Sequence, residues 1–229
     1  MKQSFFQPLF HLNHRLNSAS QRRDDLSGQM LTNVSVAFIY REAGFKSETI
    51  SQTHLGETLV VLEDQPDWLR VRQEDNYEGW VARFFVVEKL ADWDDHNFYH
   101  NADQISWIYQ SPDKQSATIR DMTLLSKLPI IEKINDWVKV LLPDGVEGWT
   151  KYNPRHIDKT ADVEQLIEAA FKFLGIQYFW GGRSPKGFDC SGFVQTTYGL
   201  HGLNLPRDAW QQAEVGQQVG NDFASWAVG

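Results

Sequence analysis

The stretch Asp67–Val81, D-W-L-R-V-R-Q-E-D-N-Y-E-G-W-V, returns without a gap as Asp136–Thr150, D-W-V-K-V-L-L-P-D-G-V-E-G-W-T. Trp68 answers Trp137, Gly79 answers Gly148 and Trp80 answers Trp149, each 69 positions on (137 − 68, 148 − 79, 149 − 80). Upstream, Leu59–Glu63 (L-V-V-L-E) meets Leu128–Glu132 (L-P-I-I-E) at the same offset. A match of this length at one offset marks a duplicated module. In each copy apolar and polar residues alternate through W-L-R-V-R or W-V-K-V-L. A D-N or D-G turn follows and a Gly-Trp strand returns, which predicts a hairpin of a small β-barrel. The modules are placed at 31–90 and 103–157, behind a polar lead-in over 1–30. The repeated tryptophans are expected to fill the hairpin cores through cross-strand aromatic contacts; the sharper alternative has Trp or Tyr side chains line a peptide or glycan groove. Tyr77 stands apart, because its repeat partner is Val146 and packing shared by both copies needs no hydroxyl there.

Composition narrows the function class. A chain of 229 residues, 41% hydrophobic and 23% charged, has room for two or three small folded domains. The net charge of −8 and the lack of a basic stripe exclude nucleic acid as a partner, since such binders draw affinity from clustered Lys and Arg. Gln7, His11, Asn13 and His14 interrupt the apolar residues of the N-terminus, so no export signal is expected. No run approaches the roughly 18 apolar residues of a membrane span. These readings favour the cytoplasm and no membrane partner. Cys190 is the single cysteine, which rules out an internal disulfide and a multi-cysteine metal site. Gly181-Gly182 lacks the spacing and Lys-Ser partner of a phosphate loop. No metal and no cofactor are expected.

From Ala161, D-V-E-Q-L-I-E-A-A-F-K-F-L-G puts Val163, Leu166, Ile167, Ala170, Phe171 and Leu174 on one helical face, with Gly175 as C-cap. Next comes I-Q-Y-F-W-G-G-R-S-P-K-G-F-D-C-S-G-F-V-Q-T-T-Y, Ile176–Tyr198. A Gly- and Pro-rich loop gives way at Asp189-Cys190-Ser191 to an apolar helical run, so Cys190 is expected at a helix N-terminus. There the positive helix end lowers a thiol pKa from about 8.5 and favours the attacking thiolate. Backbone N–H groups nearby can hold an oxyanion. Gly192 predicts close approach by a neighbouring backbone or a substrate.

The blocks Y-F-W-G-G, D-C-S-G and P-R-D-A-W-Q, spanning Tyr178 to Gln212, resemble the NlpC family of papain-like bacterial cysteine peptidases, which cut cell-wall stem peptides. The duplicated hairpins resemble bacterial SH3-like domains. Two such modules ahead of the cysteine are similar to the γ-D-glutamyl-L-diamino acid endopeptidase branch, whose substrates carry a free N-terminal L-alanine. The implied fold is α+β: two SH3-like barrels, then the first half of a papain-like domain over 160–229. The resemblance implies Cys190 as nucleophile, Tyr178 shaping the site beside it, and Asp189 with Ser191 along the substrate. Asp189 is expected to pair with the substrate ammonium, because a carboxylate beside a thiol otherwise raises its pKa. Tyr77 stands where this branch brings a first-module tyrosine to the substrate.

The chain departs from that family in its base. A cysteine peptidase needs a group to take the thiol proton and return it to the leaving amine, normally a His. Only His201 follows Cys190, and eleven helical residues separate the two by roughly 16 Å. No His-Val-Gly segment follows P-R-D-A-W-Q. A shortened chain, through a stop or frameshift near Gly220, is the preferred expectation, and a noncatalytic descendant is second; recruitment of His54, His96, His100 or His156 is a weaker alternative. The expected function is a murein peptide hydrolase, inactive in this chain as it stands. A noncatalytic murein-peptide binder is the alternative. The helix faces around Phe171, Leu174, Phe193 and Val194 then need cover from the modules, the Trp210–Trp226 tail or a second chain, and self-association is the expected result of leaving them bare.

Overall fold

A computed structural model describes residues 28–155 and 163–216. The lead-in over residues 1–27, His156 and the last part of the tail lie outside the described residues. The repeat becomes two equivalent sheets. In the first, β1 (Gln29–Thr32), β2 (Val36–Tyr40), β3 (Thr49–His54), β4 (Thr58–Asp64), β5 (Trp68–Arg72), β6 (Glu78–Ala82) and β7 (Val86–Glu88) run in the order β3-β2-β6-β5-β4-β1-β7. In the second, β8 (Phe98–His100), β9 (Ile105–Tyr109), β10 (Thr118–Thr123), β11 (Lys127–Ile134), β12 (Trp137–Leu141) and β13 (Glu147–Lys151) run β10-β9-β13-β12-β11-β8. Removing β7 makes the two orders identical.

Register repeats as well as order. Trp68 pairs with Ala82 and Trp137 with Lys151, while Tyr40 pairs with Trp80 and Tyr109 with Trp149. The turns take left-handed residues where the sequence supplies Asn76 (φ 66°) and Gly145 (φ 82°). Gly79 and Gly148 sit where a Cβ would meet Ile39 Cγ2 at 2.4 Å and Ile108 Cγ2 at 2.5 Å, so both copies need a glycine for the same contact. The tryptophans differ in burial between the two copies. Trp137 and Trp149 are buried and Trp68 and Trp80 half-buried, with Trp68 edge-on to Tyr40 at 5.5 Å and Trp137 edge-on to Tyr109 at 5.9 Å.

The third part packs on both modules. α1 (Val163–Phe171) leads through a turn closed by Gly175 (φ 84°) to the short hairpin β14 (Arg183–Ser184) and β15 (Gly187–Phe188). α2 (Cys190–Gly199) and α3 (Ala209–Val215) follow. The expected apolar face of the first helix is split. Ala169 and Phe173 are buried with Phe188, Leu200 and Leu124, whereas Ile167, Phe171 and Leu174 are 46%, 62% and 74% exposed. The core therefore lies along the line of Leu166, Ala169 and Phe173, about 100° around the helix from the predicted centre. Phe193 and Val194 are half-buried. No helix among the described residues is long and apolar enough to cross a membrane.

Candidate active site

Cys190 is the first residue of α2 and its thiol is exposed. Asp189, extended at φ −93°, is the N-cap, and its Oδ1 accepts from the Gly192 N–H at 2.7 Å. This is the ordinary capping chemistry of a buried helix start. Gly192 is required by geometry: a Cβ there would lie 2.0 Å from the Gly182 carbonyl oxygen. The close backbone approach expected at that glycine is thus made by the loop that precedes the cysteine. Gly181, at φ 78°, is similarly pressed against the Thr49 carbonyl of the first module.

Asp189 is held inside the protein. Its carboxylate does not face solvent for a substrate ammonium. It accepts from Gly181 N at 3.0 Å and forms a salt bridge with Arg207 at 2.6 Å, and Arg207 is itself only 2% exposed. Burial of a carboxylate demands such pairing, so every lone pair of Asp189 is committed to holding the loop, the helix start and the segment before α3 together. Ser191 belongs to the same network. Its side chain is buried, its Oγ donates to Asp189 and accepts from Arg207, and its carbonyl accepts from Gln212 Nε2 at 3.0 Å. Both side chains are engaged within the protein.

Tyr178, 64% exposed, bridges to Phe188 two residues before the thiol and stands free at the site's edge. Tyr77 reaches across from the first module and donates its hydroxyl to Asp208 at 3.1 Å. Burial, then the Asp208 charge, push its pKa up to about 12, so it is a neutral donor at ordinary pH. Asp208 is the N-cap of α3, in a reciprocal capping box with Gln211. On the same wall Trp180 donates its indole N–H to Glu48 at 2.8 Å, and Arg41 Nε donates to Glu48 at 2.6 Å. The Arg41 bond and then the indole hold the Glu48 carboxyl below its usual range. The Arg41 charge also acts on Tyr77 and Asp208, which places Glu48 and Asp208 in one electrostatic neighbourhood. Sequence reasoning missed Glu48, Trp180, Arg207 and Asp208. The P-R-D-A block contained two of them, but nothing local says which acid of D-C-S-G and P-R-D-A is neutralised by the arginine.

The histidines are held elsewhere. His54 is buried between lobes, with Nδ1 3.3 Å from Thr123 Oγ1 and Nε2 accepting from Arg183 Nε at 3.4 Å. His96 lies 3.8 Å from Asp92, and His201 follows the far end of α2. Among the described residues no side chain hydrogen-bonds to the Cys190 thiol, and no group of three His, Cys, Asp or Glu is placed to hold a metal.

Residues 175–225 match the NlpC/P60 family, and residues 35–86 match the bacterial SH3 domain. A γ-D-glutamyl-L-lysine dipeptidyl-peptidase of Bacillus cereus is 29% identical over 74% of this chain and 55% of its own length. The enzyme of the same name from Bacillus subtilis is 27% identical over 77% of this chain and 62% of its own length. The chain therefore spans little more than half the length of these relatives. The crystal structure of an NlpC/P60 family protein from Bacillus cereus superposes with a TM-score of 0.74 at 21% identity, covering 88% of this chain and 81% of that one, which shows a shared fold.

Proposed function

We propose that this chain, similar to NlpC/P60 proteins around its only cysteine, is the nucleophile- and substrate-holding portion of a cysteine peptidase acting on murein stem peptides. The bond cut in such peptides is that between γ-D-Glu and the diamino acid. The observation that carries this reading is the exposed Cys190 thiol at the N-terminus of α2. In the chemistry proposed, the Cys190 thiolate adds to the scissile carbonyl. The first-turn N–H groups of α2 stabilise the developing oxyanion, the C–N bond breaks, the amine leaves with a proton, and water releases the thioester. The proton carrier has no candidate among the described residues, and turnover near background is the outcome we propose.

Recognition of the free amino end falls to Asp208 and Glu48. Asp208 keeps lone pairs beyond those used by Tyr77 and its helix, whereas Asp189 has none to give. Trp180 and Tyr178 supply apolar flanks for a small L-alanyl side chain, and Tyr77 orients Asp208. Calorimetry with L-Ala-γ-D-Glu-L-Lys tests this: binding is expected to weaken roughly tenfold or more in Asp208→Asn, the loss of a charge-assisted hydrogen bond of about 1.5–3 kcal/mol. N-acetylation of the peptide should weaken it equally. Equal affinity for the acetylated peptide, or rapid release of lysine abolished by Cys190→Ala, would overturn the recognition scheme and the background turnover respectively.

The same proposal extends to self-association through Ile167, Phe171 and Leu174, an outward apolar strip on one side of α1. Sedimentation velocity should show concentration-dependent association that Phe171→Glu reduces. Monomers at every concentration would sink it.

A further inference from the structure

We propose that the cavity at the meeting point of the three lobes is a binding site for a small oxyanion, built around the guanidinium of Arg155. The cavity measures about 220 Å³, room for several waters at roughly 30 Å³ each, and takes His54 from the first lobe, His100 and Arg155 from the second, and Thr196 and Asn204 from the third. Three cations line it, and so do three carboxylates, Glu57, Glu74 and Asp75. Arg183 is paired with Glu57 at 2.9 Å and Asp75 at 3.2 Å, and Lys127 is paired with Glu74. Arg155 has no carboxylate partner among the described residues. Its Nη1 donates to the Gly199 carbonyl at 3.3 Å, while its Nε–H is sealed from solvent and meets no acceptor.

A buried cation left without a counter-charge is costly, and an orphaned buried N–H calls for a ligand, ion or water. Burial pulls the Arg155 pKa down to about 10, with no acid among the described residues holding it up. His100 adds no compensating charge: burial, then the Arg155 and Lys127 charges, lower its pKa to about 4, so the ring is neutral at pH 7. This end of the cavity is therefore positive, and the Nε side of a guanidinium is the fork that takes two oxygens of a carboxylate or phosphate. A lesser role for Arg155, serving only the carbonyl end of α2, accounts for Nη1 and leaves Nε unexplained. Cys190 does not line the cavity. It begins the helix whose last carbonyl Arg155 holds, roughly 15 Å away along ten helical residues. An ion here touches all three lobes and binds only when they are assembled, so it must stabilise the assembled state.

The test is thermal unfolding of the whole chain at constant ionic strength in chloride, acetate or inorganic phosphate. Phosphate or acetate is expected to raise the midpoint by about 2–4 °C over chloride, and Arg155→Gln to lose that rise. A response to phosphate alone identifies a phosphate ligand and a response to acetate alone a carboxylate, and either upholds the site. Because Arg155→Gln can itself fail to fold, the Nε–H resonance of Arg155 in the wild-type protein gives a second reading and should shift saturably with the same anion. A midpoint unmoved by both anions, an equal rise in Arg155→Gln as a general salt effect predicts, or a stationary Nε–H resonance would overturn the proposal.

Discussion

At the scale of single residues, Asp189 and Asp208 differ in the partners that the fold brings to them. Both are N-caps and both sit beside polar side chains, yet only one has an arginine. Arg207 is nearly sealed from solvent and forms a two-point contact with Asp189, at 3.1 Å to Oδ1 and 2.6 Å to Oδ2. Asp189→Asn keeps an acceptor for the Gly192 N–H and removes the counter-charge of Arg207. Breaking one half of a buried pair costs about 3–5 kcal/mol, and urea unfolding should show that loss with an unchanged m-value. A change below about 1 kcal/mol would mean that the pair is solvated, contrary to its burial. Asp208→Asn, by contrast, is expected to leave stability nearly intact and to act on peptide binding.

At the scale of elements, the duplication makes paired predictions. Gly79 in β6 and Gly148 in β13 face equivalent isoleucines, and a Cβ at either would also press on Ile50 or Ile119 at 3.0 and 2.9 Å. Gly79→Ala and Gly148→Ala should each destabilise by about 1–3 kcal/mol, the range for overpacking a core. Calorimetric scans that find one substitution silent would show that the modules are not equivalent in packing. The hairpins themselves were legible in the alternating residues and turn signals, because strand period and turn chemistry depend on residues within a few positions. The face of α1 was not. Its apolar residues cover more than one side, and which side is buried depends on Leu124, Phe188 and Leu200, far away along the chain.

At the scale of the whole molecule, a polar junction joins the three lobes. Arg183, directly after the glycine pair of the cysteine loop, reaches Glu57 and Asp75 of the first module, and its N–H donates to Gln52 Oε1 at 2.9 Å. Burial pushes the Glu57 carboxyl up while the Arg183 charge pulls it back. Lys186 spans Ser35 at 2.6 Å and Asp121 at 3.0 Å, tying the same loop to both modules. The junction also holds His54 and His100 neutral. Burial, then Arg183 and Arg155, lower His54 well below its usual value, and His100 falls to about 4 from 6.5. Between pH 6.5 and 4 the folded state then binds fewer protons than the unfolded one, so stability is present above about pH 6.5 and is lost as pH falls. Each histidine contributes a slope of up to about 1.4 kcal/mol per pH unit. Denaturation midpoints measured across that window should show the fall, and His100→Gln should flatten it; a flat profile in the wild type would contradict the burial of both rings. The sequence by itself determined the duplicated modules, the helix that opens at Cys190 and the glycine that lets its first turn pack, since each follows from chemistry between close neighbours in the chain. Which acid each of the buried arginines neutralises was left to the fold, because a charge takes whatever partner comes within a few ångströms: Arg207 comes to Asp189 from 18 residues away and Arg183 to Glu57 from 126.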